Sequence, residues 1–187
     1  IAREVALIKE EKPVIASYGN VAASGGYYIS AFADKIIAEP TTVTGSIGVI
    51  GLLFNTKDFF NDKLGMTFDR VTSPQSPYAD LGNPNRQMTA FERKKIQDNV
   101  NEIYGDFIEV VRKGRGFPDS ASVDAIAQGR VWSGIQALQI NLVDTLGSMQ
   151  DAIAMAAEEA GLGQDYAAVP YPKKKSFFER FAESLED

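Results

Sequence analysis

The 187-residue sequence has no histidine and no cysteine. Without histidine, a Ser-His-Asp triad cannot be assembled from this chain. Without cysteine there is no disulfide, no thiolate nucleophile and no thiolate metal site. No apolar run approaches the roughly 20 residues that cross a bilayer. Basic residues are outnumbered, 19 Lys and Arg against 25 Asp and Glu, for a net charge of −6, which argues against nucleic acid as a partner. Neither Gly-Lys-Ser/Thr nor Gly-x-Gly-x-x-Gly occurs, so no phosphate loop is read here, and neither a cofactor nor a metal is expected. Internal repeats and low-complexity segments are missing as well.

What is present is ordinary for a globular protein: 44% hydrophobic and 24% charged residues. The length suits one domain with a sizeable core. Strand-like and helix-like stretches alternate, which predicts an α/β domain whose helical content rises toward the C-terminus.

Residues 18–30, Tyr-Gly-Asn-Val-Ala-Ala-Ser-Gly-Gly-Tyr-Tyr-Ile-Ser, carry the strongest chemical signal. The apolar residues 14–16 before them read as a buried strand, and those after, to about Ala33, as a helix. A turn of small residues lets backbones approach closely. It would place Ser24 at a helix start, where free N–H groups point outward. That combination offers a nucleophile beside an oxyanion donor. A purely structural reading stands beside it: such turns also pack helices on sheets, and serine is a common N-cap. If Ser24 is a nucleophile, lysine is the remaining base, with a pKa lowered by burial.

Around this stretch the rest of the chain reads as follows. Ile1, Val5 and Ile8 share a helical face, so the chain is expected to start within a helix, with an upstream part before it. Residues 35–38 form a strand. In 44–51 the glycines alternate with apolar residues, as where strands and loops approach closely. Residues 52–54 and 67–71 are expected to be strands, and 56–64 a short helix closed by Gly65. Residues 73–87 hold three prolines and form a long loop, often a functional feature. Thr89 and Glu92 form a capping box for a long helix with Ile96, Val100, Ile103, Phe107 and Val111 on one face, ending at residues 112–114. Residues 122–128 are a short helix stopped by Gly129, and Ser133 with Gln136 forms a second capping box. Residues 142–144 are a short strand or turn, and 149–160 a helix. Residues 173–175 are a basic run able to lie on an acidic membrane surface. A Phe-rich amphipathic helix follows at 176–185.

Four motifs in order, 22–28 (Ala-Ala-Ser-Gly-Gly-Tyr-Tyr), 44–48 (Thr-Gly-Ser-Ile-Gly), 129–134 (Gly-Arg-Val-Trp-Ser-Gly) and 142–147 (Leu-Val-Asp-Thr-Leu-Gly), resemble the signal peptide peptidase A (protease IV) family. The match covers nearly the whole chain. The resemblance implies a ClpP/crotonase-like fold, here partial and lacking its first strands. Residues 1–187 would form a single serine peptidase catalytic domain fragment, with 162–187 an extension packing on the domain or a neighbour. It implies a Ser–Lys dyad, with Ser24 the nucleophile, the Gly25 N–H an oxyanion donor and Ser46 the residue that orients the lysine. It also implies apolar signal-peptide remnants as substrates. The oligomer would be bowl-like, with contacts made by the long helix and the Phe-rich helix. The location would be beside a membrane, on the extracytoplasmic side of a bacterial inner membrane or at a thylakoid-like membrane.

Two departures qualify the resemblance. Short members of the family carry the lysine within Tyr-Lys-Asp; here Tyr78-Ala79-Asp80 stands in its place, and no lysine occurs between Lys63 and Lys94. The upstream Ser-Pro-Gly-Gly segment is also missing. Long members are tandem duplications in which the second half brings the serine and the first half the lysine. This chain resembles such a second half, so the N-terminal half of the same protein is an expected partner, and a membrane-anchored parent is expected. An engineered change at Ala79, or a natural loss of activity, would also explain the first departure. Lys35, Lys57 and Lys63 lack the apolar setting a base needs. Two other functions remain: a non-catalytic scaffold of the same family, for which Ala79 speaks, and a crotonase-type acyl-CoA enzyme, against which the Ser24 and Ser46 pair speaks.

Overall fold

The computed structural model describes residues 1–73, 75, 78 and 80–172. Helix α1 (Ala2–Ile8) leads into strand β1 (Ile15–Tyr18). Strand β2 (Val21–Ala23), helix α2 (Gly25–Ser30), and strands β3 (Lys35–Ala38) and β4 (Val43–Gly45) follow. After a long stretch that holds a π-helix at Phe59–Lys63 come helix α3 (Ala90–Arg115) and the short helix α4 (Ser120–Asp124). Strand β5 (Val131–Ser133), helix α5 (Gly134–Gln139), strand β6 (Thr145–Leu146) and helix α6 (Met149–Glu159) complete the described elements.

The strands form two small sheets, ordered β1-β3-β6 and β2-β4-β5. All pairs are parallel except β4 with β5. Parallel strands need covered faces, and β3 reads accordingly: Ile36, Ile37 and Ala38 are all buried. Tyr18, Tyr27, Ile47, Val111, Val123 and Leu142 join the same core, each large apolar side chain contributing about 1.5–3 kcal/mol. Helix α3 fits this core only with its second half, where Phe107, Ile108 and Val111 are buried. Toward its start, Ile103 and Phe91 are exposed.

Local chemistry explains where the helices begin. Thr89 and Glu92 close a capping box on α3, Ser133 and Gln136 on α5, and Ser148 and Asp151 on α6. Helix α3 runs three residues past Arg112 and ends on Gly116 at φ 70°, a left-handed cap. Gly114 lies against α2's end: a methyl group there would sit 2.2 Å from the Ala31 carbonyl oxygen.

Several expectations are corrected. Residues 52–54 and 67–71 are not strands; both are irregular, without a sheet partner, and exposed. Alternation specifies a face, but a strand also needs a neighbour to complete its ladder. Residues 59–63 wind as a π-helix, though Gly65 does end the helix at φ 64°. The helix expected at 122–128 is Ser120–Asp124, followed by turns. Of the strand or turn expected at 142–144, the structure has the turn-like alternative, a bend, with a strand just after it. Of the loop expected at 73–87, the described residues 73, 75, 78 and 80–87 lie in turns, bends or irregular backbone. Residues 162–172 are irregular and exposed. Ala79, the basic run at 173–175 and the helix at 176–185 lie outside the described residues. Among the described residues no helix is long and apolar enough to cross a membrane.

Candidate active site

The Ser24 turn is built by two strands rather than one. Strand β2 was not expected from the sequence, because three small residues carry little periodicity. It pairs with β4 in parallel register, Ala23 opposite Gly45. Both strands therefore end at the same level, and the residues just beyond them are Ser24 and Ser46. In α/β proteins, ligand sites lie beyond the carboxyl ends of parallel strands.

Ser24 is exposed, with φ 53° and ψ −117°. A non-glycine residue there stores on the order of 1–3 kcal/mol, and persists only where its surroundings hold it. Its N–H donates to the Gly45 carbonyl at 2.9 Å, and its own carbonyl accepts from the Tyr28 N–H at 2.9 Å. Gly25 and Gly26 open helix α2, and a methyl group at either would meet no atom within 4 Å. The first-turn N–H groups of a helix have no intrahelical acceptor. An exposed hydroxyl thus sits beside unshielded backbone donors.

Ser46 is half-buried and also left-handed, at φ 49°. Its N–H donates to the Arg130 carbonyl at 2.7 Å. The expectation that glycines here permit close approach holds at two positions. At Gly45 (φ 73°) a side chain would strike Trp132 at 2.7 Å, and at Gly48 it would sit 2.8 Å from the Gly129 backbone. Gly129 N–H donates to the Ile47 carbonyl, and Trp132 Nε1 donates to the Ile126 carbonyl. The 129–134 motif thus clamps the 44–48 motif. The sequence marked both as motifs without showing that they touch. A hollow of about 370 Å3, lined by Gly48, Val49, Ile50, Val100, Tyr104 and Gly129 among others, adjoins the Ser46 loop.

Behind the turn the groups are polar but buried. Tyr27 donates to the Leu142 carbonyl at 2.7 Å, and the Tyr18 and Ser30 hydroxyls are hydrogen-bonded. Burial pushes Tyr18 up to about 12, and Tyr27 well above the usual phenol range, so both remain neutral. Arg115, 7% exposed, pairs with Asp144 at 2.6 Å, and Asp144 also accepts from the Ile36 N–H. Lys35, Lys57 and Lys63 are exposed. Among the described residues no acidic cluster could hold a metal.

The 73–87 loop is tied to α3 by a cluster unseen in the sequence. Arg86 bonds Asp80 and Glu92, and Arg70 also pairs with Asp80. The Arg86 guanidinium, then the Thr89 N–H, hold the buried Glu92 carboxyl down at about 2. Arg86 and Arg70 likewise hold Asp80 well below the usual carboxylate range.

Fold and turn together describe an α/β protein with one strained, solvent-facing serine. The sequence places it further: the peptidase family S49 profile matches residues 6–163, and the chain belongs to that family. It is 39% identical over 165 residues to Protease 4 of Haemophilus influenzae, covering 86% of this chain and 25% of that protein. It is 37% identical over 161 residues to the chloroplastic serine protease SPPA of Arabidopsis thaliana, covering 86% and 23%. A third relative, from Enterococcus faecium and provisionally named signal peptide peptidase SppA, is 38% identical over 179 residues, covering 95% and 51%. The chain therefore spans about half, or only a quarter, of the relatives it matches.

Proposed function

We propose that this chain carries the nucleophile of a serine peptidase with a Ser–Lys dyad, on a ClpP/crotonase-like fold. An unprotonated lysine takes the Ser24 proton as Oγ attacks a peptide carbonyl. The Gly25 N–H then stabilises the oxyanion. On collapse the lysine returns the proton to the departing amine, and water releases the acyl group by the reverse sequence. Ser46 hydrogen-bonds the lysine and keeps it aimed. With Ala79 where short relatives carry the base, the lysine comes from the N-terminal half of the same protein. Without its base nothing takes the Ser24 proton as Oγ attacks, so the chain alone is close to inert.

The observation carrying this reading is the exposed Ser24, held at φ 53° between the end of β2 and two bare glycines. Substrates are apolar, extended peptides such as signal-peptide remnants. They bind by strand addition, and the hollow beside Ser46 takes an apolar side chain. The working form is a homo-oligomer beside a membrane, with its catalytic domain on the extracytoplasmic side.

The test is labelling with a fluorophosphonate, on this chain alone and on the full-length protein, with the modified residue read by mass spectrometry. Modification of Ser24 in the full-length protein only, abolished by Ser24→Ala, is expected. Labelling in neither would make the chain a scaffold domain.

A further inference from the structure

Helix α2 has six residues, too few to hold a direction by itself. Its first turn has no outer grip, since Gly25 and Gly26 carry no side chains and have open space beside them. The first side chain after Ser24 is Tyr27, and it is fully buried. Its ring meets Tyr18 edge to face at 6.3 Å. Its hydroxyl spans 115 residues of sequence to reach the Leu142 carbonyl. Farther along, Ser30 Oγ donates to the Gly26 carbonyl at 2.9 Å and meets the Tyr18 hydroxyl. Both ends of the helix are therefore fastened to the layer beneath it: the first turn is held by the Ser24 N–H on Gly45 and by Ser30 on the Gly26 carbonyl, and Tyr27 is the side chain of that turn that itself reaches across to the Leu142 strand connection.

We propose that Tyr27 is a positioning residue for the Ser24 turn: its bond to the Leu142 carbonyl fixes the first turn of α2, and with it the direction of the Ser24 hydroxyl and the Gly25 N–H. This rests on the reading of Ser24 as the nucleophile. Small misplacements of a reacting group are costly, about a hundredfold in rate for 1 Å. A phenylalanine would keep the ring and its packing while freeing the turn to tilt. Tyr27 stays neutral because of its burial and has no part in proton transfer.

The experiment compares Tyr27→Phe, Ser24→Ala and Val123→Ala with wild type in the full-length protein, all at one temperature well below the lowest melting temperature of the set. Val123 is a buried residue of α4 in the same core, with an apolar side chain that takes no part in the hydrogen bonds of this tie. Tyr27→Phe is expected to slow fluorophosphonate acylation and lower kcat by about tenfold. KM and the pH midpoint of the rate should not change, since the base is untouched. Val123→Ala should react at the wild-type rate. A Tyr27→Phe rate within about twofold of wild type overturns the proposal, and so does equal slowing in Val123→Ala. If Ser24→Ala is inactive and Tyr27→Phe normal, only the Tyr27 role falls. If Ser24→Ala still cleaves peptide, the nucleophile reading falls and the positioning role with it. A wild-type measurement needs no variant to fold. The Tyr28 amide, which closes the turn on Ser24, should exchange as slowly as that of Ile37 in the sheet. Fast exchange overturns the clamp.

Discussion

Ser24 occupies backbone angles that suit glycine better than serine. The Ser24→Gly variant is therefore expected to be more stable than wild type by about 1 kcal/mol, after allowing for the entropy of glycine. Urea denaturation measures the gain, and loss of fluorophosphonate labelling measures its cost in function. Gly48 presents the opposite case. A methyl group there meets the Gly129 backbone at 2.8 Å, and backbone yields less readily than a side chain. Gly48→Ala is expected to cost about 1–3 kcal/mol and to lower Ser24 labelling in the full-length protein, because Ser46 lies two residues away. Neither strain was legible beforehand. The sequence marked Ser24 and the glycines as unusual, but a positive φ at serine has no compositional sign, and the approach of Gly48 to Gly129 spans 81 residues (129 − 48).

Among the elements, helix α3 shows what local chemistry can and cannot announce. Thr89 and Glu92 were readable as a cap because both act within one turn. Thr89→Ala should cost about 1 kcal/mol of stability, measured by thermal melting. Arg86, which makes Glu92 more than a cap, was not readable, since nothing in the spacing of 86 and 92 marks a buried pair. This pair sets an acid response. The Glu92 carboxyl lies at about 2 in the fold against an ordinary 4.5. Its contribution is fully present above pH 4.5 and is lost as pH falls toward 2. Asp80 is shifted the same way. Melting temperature should therefore fall across that window, and Glu92→Gln should flatten the fall while lowering stability at neutral pH. A variant melting curve as steep with pH as the wild type would refute the assignment. The two false strands at 52–54 and 67–71 share a cause. An apolar run, as at 52–54, or an alternating one, as at 67–71, reveals appetite for burial, not whether a neighbouring strand is there to meet it.

For the whole molecule, that unmet appetite is the main observation. Ile50 is 88% and Val71 97% exposed, and Leu52, Phe54, Phe59 and Leu64 are exposed between them. Soluble monomers rarely show so much apolar surface in one stretch. The chain alone is expected to bind a hydrophobic dye and to self-associate with rising concentration in sedimentation velocity. A Leu52→Asp, Phe54→Asp double variant should stay monomeric to higher concentration. Family membership was legible at this scale because four motifs stand in order along one chain. The assembly of those motifs into one turn was not, since it depends on which strands lie side by side.

The long sequence reach of the braces around Ser24 also sets a schedule. Tyr27 waits for Leu142, and Ile36 waits for Asp144, 108 positions later. Pairings this remote close slowly and only after both partners exist. A ribosome that has not yet delivered β6 therefore holds the hydroxyl on a slack loop. On the proposed reading of Ser24, the nucleophile would not be aimed until residues 142–144 have left the ribosome.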